Sequence, residues 1–412
     1  MTLFATLLLL AAPLPFAAHT AAAPNAPLST PSSLGTAPTP PAVDLAGLRL
    51  DASGELEVLR RSDRGDRRTN LALYGQRPTL LVLATTASWR ESKSRDYVKQ
   101  LKALDKRASK WTRAGVEVVY IDGPAWIQDG DEMVDLDLTA RAKVKHMTCV
   151  RPAAWPVHET RDEPARDELL RPAYTEDLEF RWVLLEELGV IAASGKDALD
   201  KALTKRLAAL EPDPLAVDST TKKAFAALDA WRLDDVEARI AQLEETDAPS
   251  APALRARLEA AEAHYRAVFH APEAERGYLV EAAAYLERLG DVHYGGGKGA
   301  ERIRAELLAL RASPEFVRAE EHHARFQEQL AVFEAMELRL SDVYEASIDK
   351  RTDYDEPKYN QAIREVYPEP LARLTEYVRT QTDSPYRAAI ASLVSYAREE
   401  LQDAGGSTRV GR

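Results

Sequence analysis

The chain has 412 residues, of which 45% are hydrophobic and 29% charged, with a net charge of −12 and a single cysteine, Cys149. That balance is ordinary for a globular protein, and the length suffices for two or three domains. The acidic charge argues against a nucleic-acid-binding protein but leaves room for a local basic patch; one cysteine excludes an intramolecular disulfide, a Cys-x-x-Cys redox pair, an all-cysteine zinc site and an iron–sulfur cluster held by this chain alone.

Residues 1–23 are apolar, with Leu7 to Leu10 at the centre and Ala21-Ala22-Ala23 at the end. The stretch is too short, and too interrupted by Pro13 and Pro15, to span a bilayer, and it fits a secretory signal peptide, although no Lys or Arg precedes the apolar run. The expected location is therefore periplasmic or extracellular, with no membrane span after cleavage. Residues 24–42 carry six prolines among Ser, Thr and Ala, a composition that cannot bury a core and reads as an extended, disordered linker.

Thr79 to Ala84 is a continuous apolar run, expected to be a strand buried on both faces. Tyr97, Leu101, Leu104, Ala108 and Trp111 then recur at helical spacing, and Gly115 stands where a helix would end. Val116 to Ile121 gives a second apolar strand, so strand–helix–strand with short connections predicts a right-handed βαβ unit. After a polar insertion, Trp182–Leu185 and Gly189–Ala193 read as a hairpin. Leu199, Leu203, Leu207 and Leu210 share one face of a closing helix.

In order and spacing, Arg77 to Leu83, Trp89, the long helix, Ala114 to Val119 and Val183 to Ile191 resemble a thioredoxin-fold domain of the peroxiredoxin and thiol–disulfide oxidoreductase (redoxin) type. The resemblance covers about 160 residues and assigns 43–211 to that domain. It also implies a Trp-Cys-x-x-Cys motif after the first strand, where this sequence has Trp89-Arg90-Glu91-Ser92-Lys93. Arg90 and Lys93 fall at the two cysteine positions, and neither side chain can form a mixed disulfide. The loop from Thr85 to Lys93 holds no cysteine for a peroxiredoxin reaction, and no proline stands at Glu179-Phe180-Arg181-Trp182, where the family has one. The resemblance thus implies a degenerate redox site at Trp89, Arg90, Glu91, Ser92 and Lys93, with no catalytic residue. Arg90, Lys93 and Arg181 could instead form an anion or ligand pocket. Cys149, past the second strand, reads as a small apolar residue near a strand start, with a reactive thiol as the alternative.

From residue 212 strand signals nearly vanish, and an all-α, repeat-like domain is expected over 212–405, followed by a disordered tail at 406–412. Helices are predicted at 219–231, 234–245, 251–269, 272–289, 299–312, 314–348, 358–366, 369–382 and 385–402, with Asp234 as an N-cap. Ala227 to Tyr265 resembles a tetratricopeptide-type hairpin, with small residues at Ala227, Ala238, Ala256 and Ala260, although no 34-residue repeat persists. Phe316, Ala319, His323, Phe326, Leu330, Phe333, Met336 and Leu340 form a seam along the longest helix.

Three motifs invite chemistry and do not carry it. Tyr294-Gly295-Gly296-Gly297-Lys298-Gly299 lacks the first Gly and the Ser/Thr of a phosphate loop and reads as a helix–helix turn. In Glu320-Glu321-His322-His323, neighbouring His residues point about 100° apart on a helix, and a solvated face is expected. The acids between Asp129 and Asp137 do not follow the order of a calcium loop. No cofactor or metal is expected. The expected function is that of an exported, non-catalytic thioredoxin-like protein acting as a protein-binding or scaffolding module. The alternative is a related oxidoreductase with non-standard or residual redox activity.

Overall fold

A computed structural model describes residues 55–60, 68–84, 91–121, 126–129, 132–135, 138–152, 180–196, 201–211, 213–347 and 356–405. The expected signal, linker and tail lie outside the described residues. Nine strands are present among them: β1 (Glu55–Arg60), β2 (Arg68–Asn70), β3 (Thr79–Ala84), β4 (Glu117–Ile121), β5 (Trp126–Asp129), β6 (Glu132–Asp135), β7 (Thr148–Pro152), β8 (Phe180–Glu187) and β9 (Val190–Lys196). Seven of them form one mixed sheet in the order β2-β1-β7-β4-β3-β8-β9, and β5 with β6 forms a separate ribbon. The centre of the sheet, β7-β4-β3, is parallel, while β8–β9 on one side and β1–β2 on the other run antiparallel.

Strand alternation builds two cores from the same strands. Leu80 and Val82 of β3, Val118 and Tyr120 of β4, and Phe180, Trp182 and Leu184 of β8 face one side. Leu81 and Leu83, Val119 and Ile121, and Val183 and Leu185 face the other. This is the period of two that strand geometry imposes, and it explains why β3 and β4 read as unbroken apolar runs. On the first side lie α1 (Glu91–Arg113), α2 (Leu138–Ala142) and α3 (Lys201–Ala209), which contribute Tyr97, Leu101, Leu104, Ala108, Trp111, Ala142, Leu203 and Leu207. On the second side, Leu71 and Tyr74 enter the core from a 3₁₀ turn at Leu71–Leu73 and the residue after it.

Beyond residue 211 the described residues contain helices and turns but no strand. The helices are α4 (Pro214–Val217), α5 (Lys222–Asp229), α6 (Leu233–Glu245), α7 (Ala251–Tyr265), α8 (Ala271–Glu275), α9 (Leu279–Arg288), α10 (Gly297–Arg311), α11 (Pro314–Ser347), α12 (Glu356–Val366), α13 (Pro368–Thr380) and α14 (Arg387–Asp403). The fold is thus an α/β sheet region followed by an all-helical region.

The chain divides into two compact units. One comprises Met1–Val268 with Leu289–Ala300, the other Phe269–Arg288 with Glu301–Arg412. The first unit therefore holds the sheet together with α4 to α7, and the change to helical structure near residue 211 falls inside it.

The helices differ from the sequence reading in instructive places. The helix expected over 272–289 is two, broken after Glu275 where Gly277 takes a left-handed conformation (φ 84°). The one expected over 251–269 leaves α-helical geometry at Tyr265 and continues as a π-helical turn at Arg266–His270. Asp234 lies in the first turn of α6, whose N-cap is Arg232. Of the four small residues of the tetratricopeptide-like segment, Ala227 is buried while Ala238, Ala256 and Ala260 are exposed. The cores of α6 and α7 are built instead by Leu233, Val236, Ile240, Leu243, Leu254 and Leu258.

In the second unit the seam of α11 is buried from Phe316 to Leu340, except for the partly exposed His323. Tyr367, Tyr377 and Tyr386 are buried there, while Tyr278, Tyr285, Tyr359 and Tyr396 are partly exposed. Tyr386 is sandwiched between Tyr278 (ring centroids 4.8 Å apart) and Phe326 (4.6 Å), and its hydroxyl donates to Glu281 Oε2 at 2.6 Å. Tyr367 donates to Glu337 Oε1 at 3.0 Å.

Two predictions follow from the packing. A Cβ on Gly195 would lie 2.6 Å from the indole of Trp182, its cross-strand partner in the core. Gly195→Ala must displace that ring, and chemical denaturation should show a loss of about 1–3 kcal/mol, the usual cost of overpacking. Glu400 has its pKa raised from the ordinary 4.5, first by burial and then by Glu337, Asp403 and Glu399. Folding favours its protonated form, so its contribution to stability falls as pH rises above the unfolded value. Glu400→Gln should raise the melting temperature at pH about 7.5, and the difference should shrink toward pH about 4.5.

Candidate functional site

The segment where the sequence places a degenerate redox motif connects β3 to α1. Trp89 and Arg90 lie outside the described residues; Glu91, Ser92 and Lys93 open α1, and their side chains are likewise outside the description. The surroundings are defined. Ala84, the last residue of β3, pairs with Phe180 at the start of β8. One and a half turns into α1, the Tyr97 ring packs on Phe180 with centroids 6.0 Å apart, and its hydroxyl meets that of Tyr120 on β4. Tyr97 and Tyr120 are both buried. The N-terminal half of α1 is therefore seated on aromatic rings beside the start of β8, at the C-terminal ends of the parallel strands.

Arg181 is partly buried on β8, opposite Leu83. It alternates with Phe180 and Trp182, which face α1, and so stands on the same side as Val183 and Leu185. The structure does not bring Arg181 to the face that carries α1 and Lys93.

Cys149 sits within β7 and is completely buried, with its Sγ 3.9 Å from the carbonyl of Met147. It pairs with Tyr120, which pairs in turn with Val82. The thiol is thus two strands away from β3, about 10 Å across the sheet, and level with Val82 rather than with the strand end where the loop departs.

The glycine-rich turn is filled from within the protein. Gly295 and Gly297 both have positive φ, and the backbone N–H of Gly299 donates to Glu237 Oε2 at 3.1 Å. A carboxylate from α6 thus occupies the N-terminus of α10, where a phosphate would have to bind. Nor do the adjacent histidines converge: His322 Nε2 lies 3.8 Å from Asp383, and His323 Nε2 lies 3.7 Å from Glu281. No group of three potential metal ligands occurs among the described residues. The acids at 129 and 132 face each other across the β5–β6 ribbon, with side chains outside the description.

The densest polar arrangement was not apparent in the sequence. Within the first unit, Trp231 Nε1 donates to the carbonyl of Leu73, and His264 Nε2 lies at the same distance, 2.6 Å, from the carbonyl of Ala72. A carbonyl only accepts, so His264 carries its proton on Nε2. His293 Nδ1 likewise donates to the carbonyl of Trp231 at 3.2 Å, and its ring stands edge-on to Trp231 and Tyr265. Glu262 accepts from Tyr294 at 2.7 Å and from Arg266 at 3.0 Å. Arg77 binds Asp229 at 2.8 Å. His264, His293, Glu262 and Asp229 are all buried. Chemically this is a set of buried hydrogen bonds and ion pairs that fixes helices to the 3₁₀ turn. The one hint in the sequence is the presence of polar residues such as His264 and Glu262 within an otherwise apolar helical period.

Trp231→Phe keeps an aromatic, though smaller, side chain and removes the donor to Leu73. Urea unfolding should show a loss of about 1–3 kcal/mol, as for a buried acceptor left without its partner.

No protein-family model matches this chain, and no curated protein and no solved structure is significantly similar to it.

Proposed function

We propose that this chain is an exported thioredoxin-like protein that works without thiol chemistry, as a protein-binding or scaffolding module. The observation that carries the reading is the position of Cys149, completely buried in the sheet and two strands from the β3–α1 connection. Disulfide exchange and peroxide reduction both need an accessible thiolate, favoured by a positive environment such as a helix N-terminus. The sequence from Thr85 to Lys93 contains no cysteine to supply one.

Two further features support the fold in this proposal. The strand neighbours β4-β3-β8-β9 combine a parallel pair joined by a helix with a following antiparallel hairpin. This is the arrangement that the resemblance at Arg77 to Val119 and Val183 to Ile191 implies. The helices α1 and α3 then pack on one side of that sheet, as a strand–helix–strand unit followed by a hairpin and helix requires. With its one thiol buried, such a domain keeps the capacity to present surfaces to a partner, and the helices that follow add to them.

Insulin-disulfide reduction and peroxide consumption, measured for the wild type and Cys149→Ser, test the reading. Both proteins should match the rate without protein, and Cys149 should react with a thiol reagent only after denaturation. Turnover that depends on Cys149 would overturn the proposal in favour of an oxidoreductase.

A further inference from the structure

The side of the sheet covered by α1, α2 and α3 turns a strongly basic surface to solvent. Along α1, Arg95, Lys99, Lys102, Lys106, Lys110 and Arg113 are all exposed. Their spacings of four, three, four, four and three residues put them on one helix face, a stripe about 27 Å long at 1.5 Å per residue. Arg141, Lys143 and Lys145 extend it on one flank, where Asp105 of α1 accepts from the backbone N–H groups of Lys145 and His146. Lys201, Lys205 and Arg206 of α3 extend it too, with Arg107 of α1 donating to Thr204 at 3.3 Å. Against these basic residues, the described side chains of the three helices offer two carboxylates. Asp96 pairs with Lys99, and Asp105 is taken up by the 145–146 backbone and the His146 ring. In a chain of net charge −12, positive charge is thus gathered on one side of one sheet.

The chemistry of this face selects its partner. Protein interfaces concentrate aromatic side chains and are depleted in Lys, whereas this face is mostly Lys, and the exposed large apolar residues Val292, Leu308, Val317 and Leu338 all lie elsewhere. Single-stranded nucleic acid is held on aromatic platforms, and none is exposed on these three helices among the described residues. A layer of helices side by side also projects no element into a duplex groove. A broad array of flexible ammonium groups matches a surface of many mobile negative charges, to which each basic residue within a Debye length adds attraction.

We propose that α1, with α2 and α3, forms an electrostatic docking surface for a bilayer containing anionic phospholipid, held at the headgroups without insertion. Co-sedimentation of the full chain with vesicles of phosphatidylcholine, with or without about 30% phosphatidylglycerol, tests this at ~50 mM and ~500 mM NaCl. Binding should require the anionic lipid and be lost at the higher salt. The quadruple variant Lys99→Glu, Lys102→Glu, Lys106→Glu, Lys110→Glu should bind at least about a hundredfold more weakly, given roughly fivefold for each basic residue removed. A control with Arg318, Arg339, Arg373 and Arg398 each changed to Glu alters net charge equally and should stay within about twofold of the wild type. If the first variant melts early, the same four lysines changed to Gln give the test, with a smaller loss expected. Residues 1–23 are the same in the wild type and every variant, so a difference between these proteins reports on the substituted positions. Equal binding to neutral and anionic vesicles, retention by the quadruple variant, or an equal loss in the control would overturn the proposal. So would binding to duplex DNA at a salt concentration where anionic vesicles are not bound, which would assign the face to nucleic acid.

Discussion

Two backbone carbonyls, those of Ala72 and Leu73, set the architecture of the first unit. They belong to a short 3₁₀ turn that closes one side of the sheet, where carbonyls turned away from water would be costly without donors. The donors come from Trp231 and His264, 158 and 192 residues further along the chain. Both sit among helices, and both are held in turn: Trp231 accepts from His293, while Tyr265, next to His264, stands against the rings of Trp231 and His293. The sheet and α5 to α7 therefore complete one another's hydrogen bonding. This accounts for a compact unit that runs through the composition change near residue 211 instead of stopping there. Contacts of such long sequence separation make folding slow relative to a local helical bundle.

What the sequence disclosed depended on the range of the interaction behind each feature. β3 and β4 were legible because burial on both faces leaves an unbroken apolar run. The α1 face and the α11 seam were legible because helical period and burial coincide there. β7 was not: Thr148-Cys149-Val150-Arg151-Pro152 is short and polar at its ends, and it becomes a central strand only because β1 and β4 flank it. β1 and β2 were missed for the same reason. The seat of Trp231 and His264 gives no local signal beyond a polar residue in an apolar helical period, since its meaning lies in carbonyls far away in sequence. Residues Trp89 and Arg90 and the side chain of Lys93 lie outside the described residues, whereas strand alternation places Arg181 on the side of the sheet away from α1, which a residue list without a sheet does not reveal.

Charge is organised as distinctly as apolar surface. Acidic side chains inside the protein serve as local acceptors: Asp229 for Arg77, Glu262 for Tyr294 and Arg266, Glu237 for the start of α10. Each neutralises donors that folding would otherwise strand. On the outer side of α1 the reverse holds, with few acids to offset the lysines. The sheet thus separates two environments, an interior joint where Asp229, Glu262 and Glu237 each hold a specific mate and an exterior face where charges act collectively and are sensitive to salt.

The burial of Cys149 has a consequence for the protein as a material. A chain with one thiol, sealed between β1 and β4, has no intramolecular disulfide to make or break in its native state. No part of its thermodynamic stability therefore comes from a disulfide cross-link that the glutathione poise around it could reduce. Passage from a reducing compartment to an oxidising one would ask no cross-link of this fold, so reaching the native state needs no disulfide-forming partner.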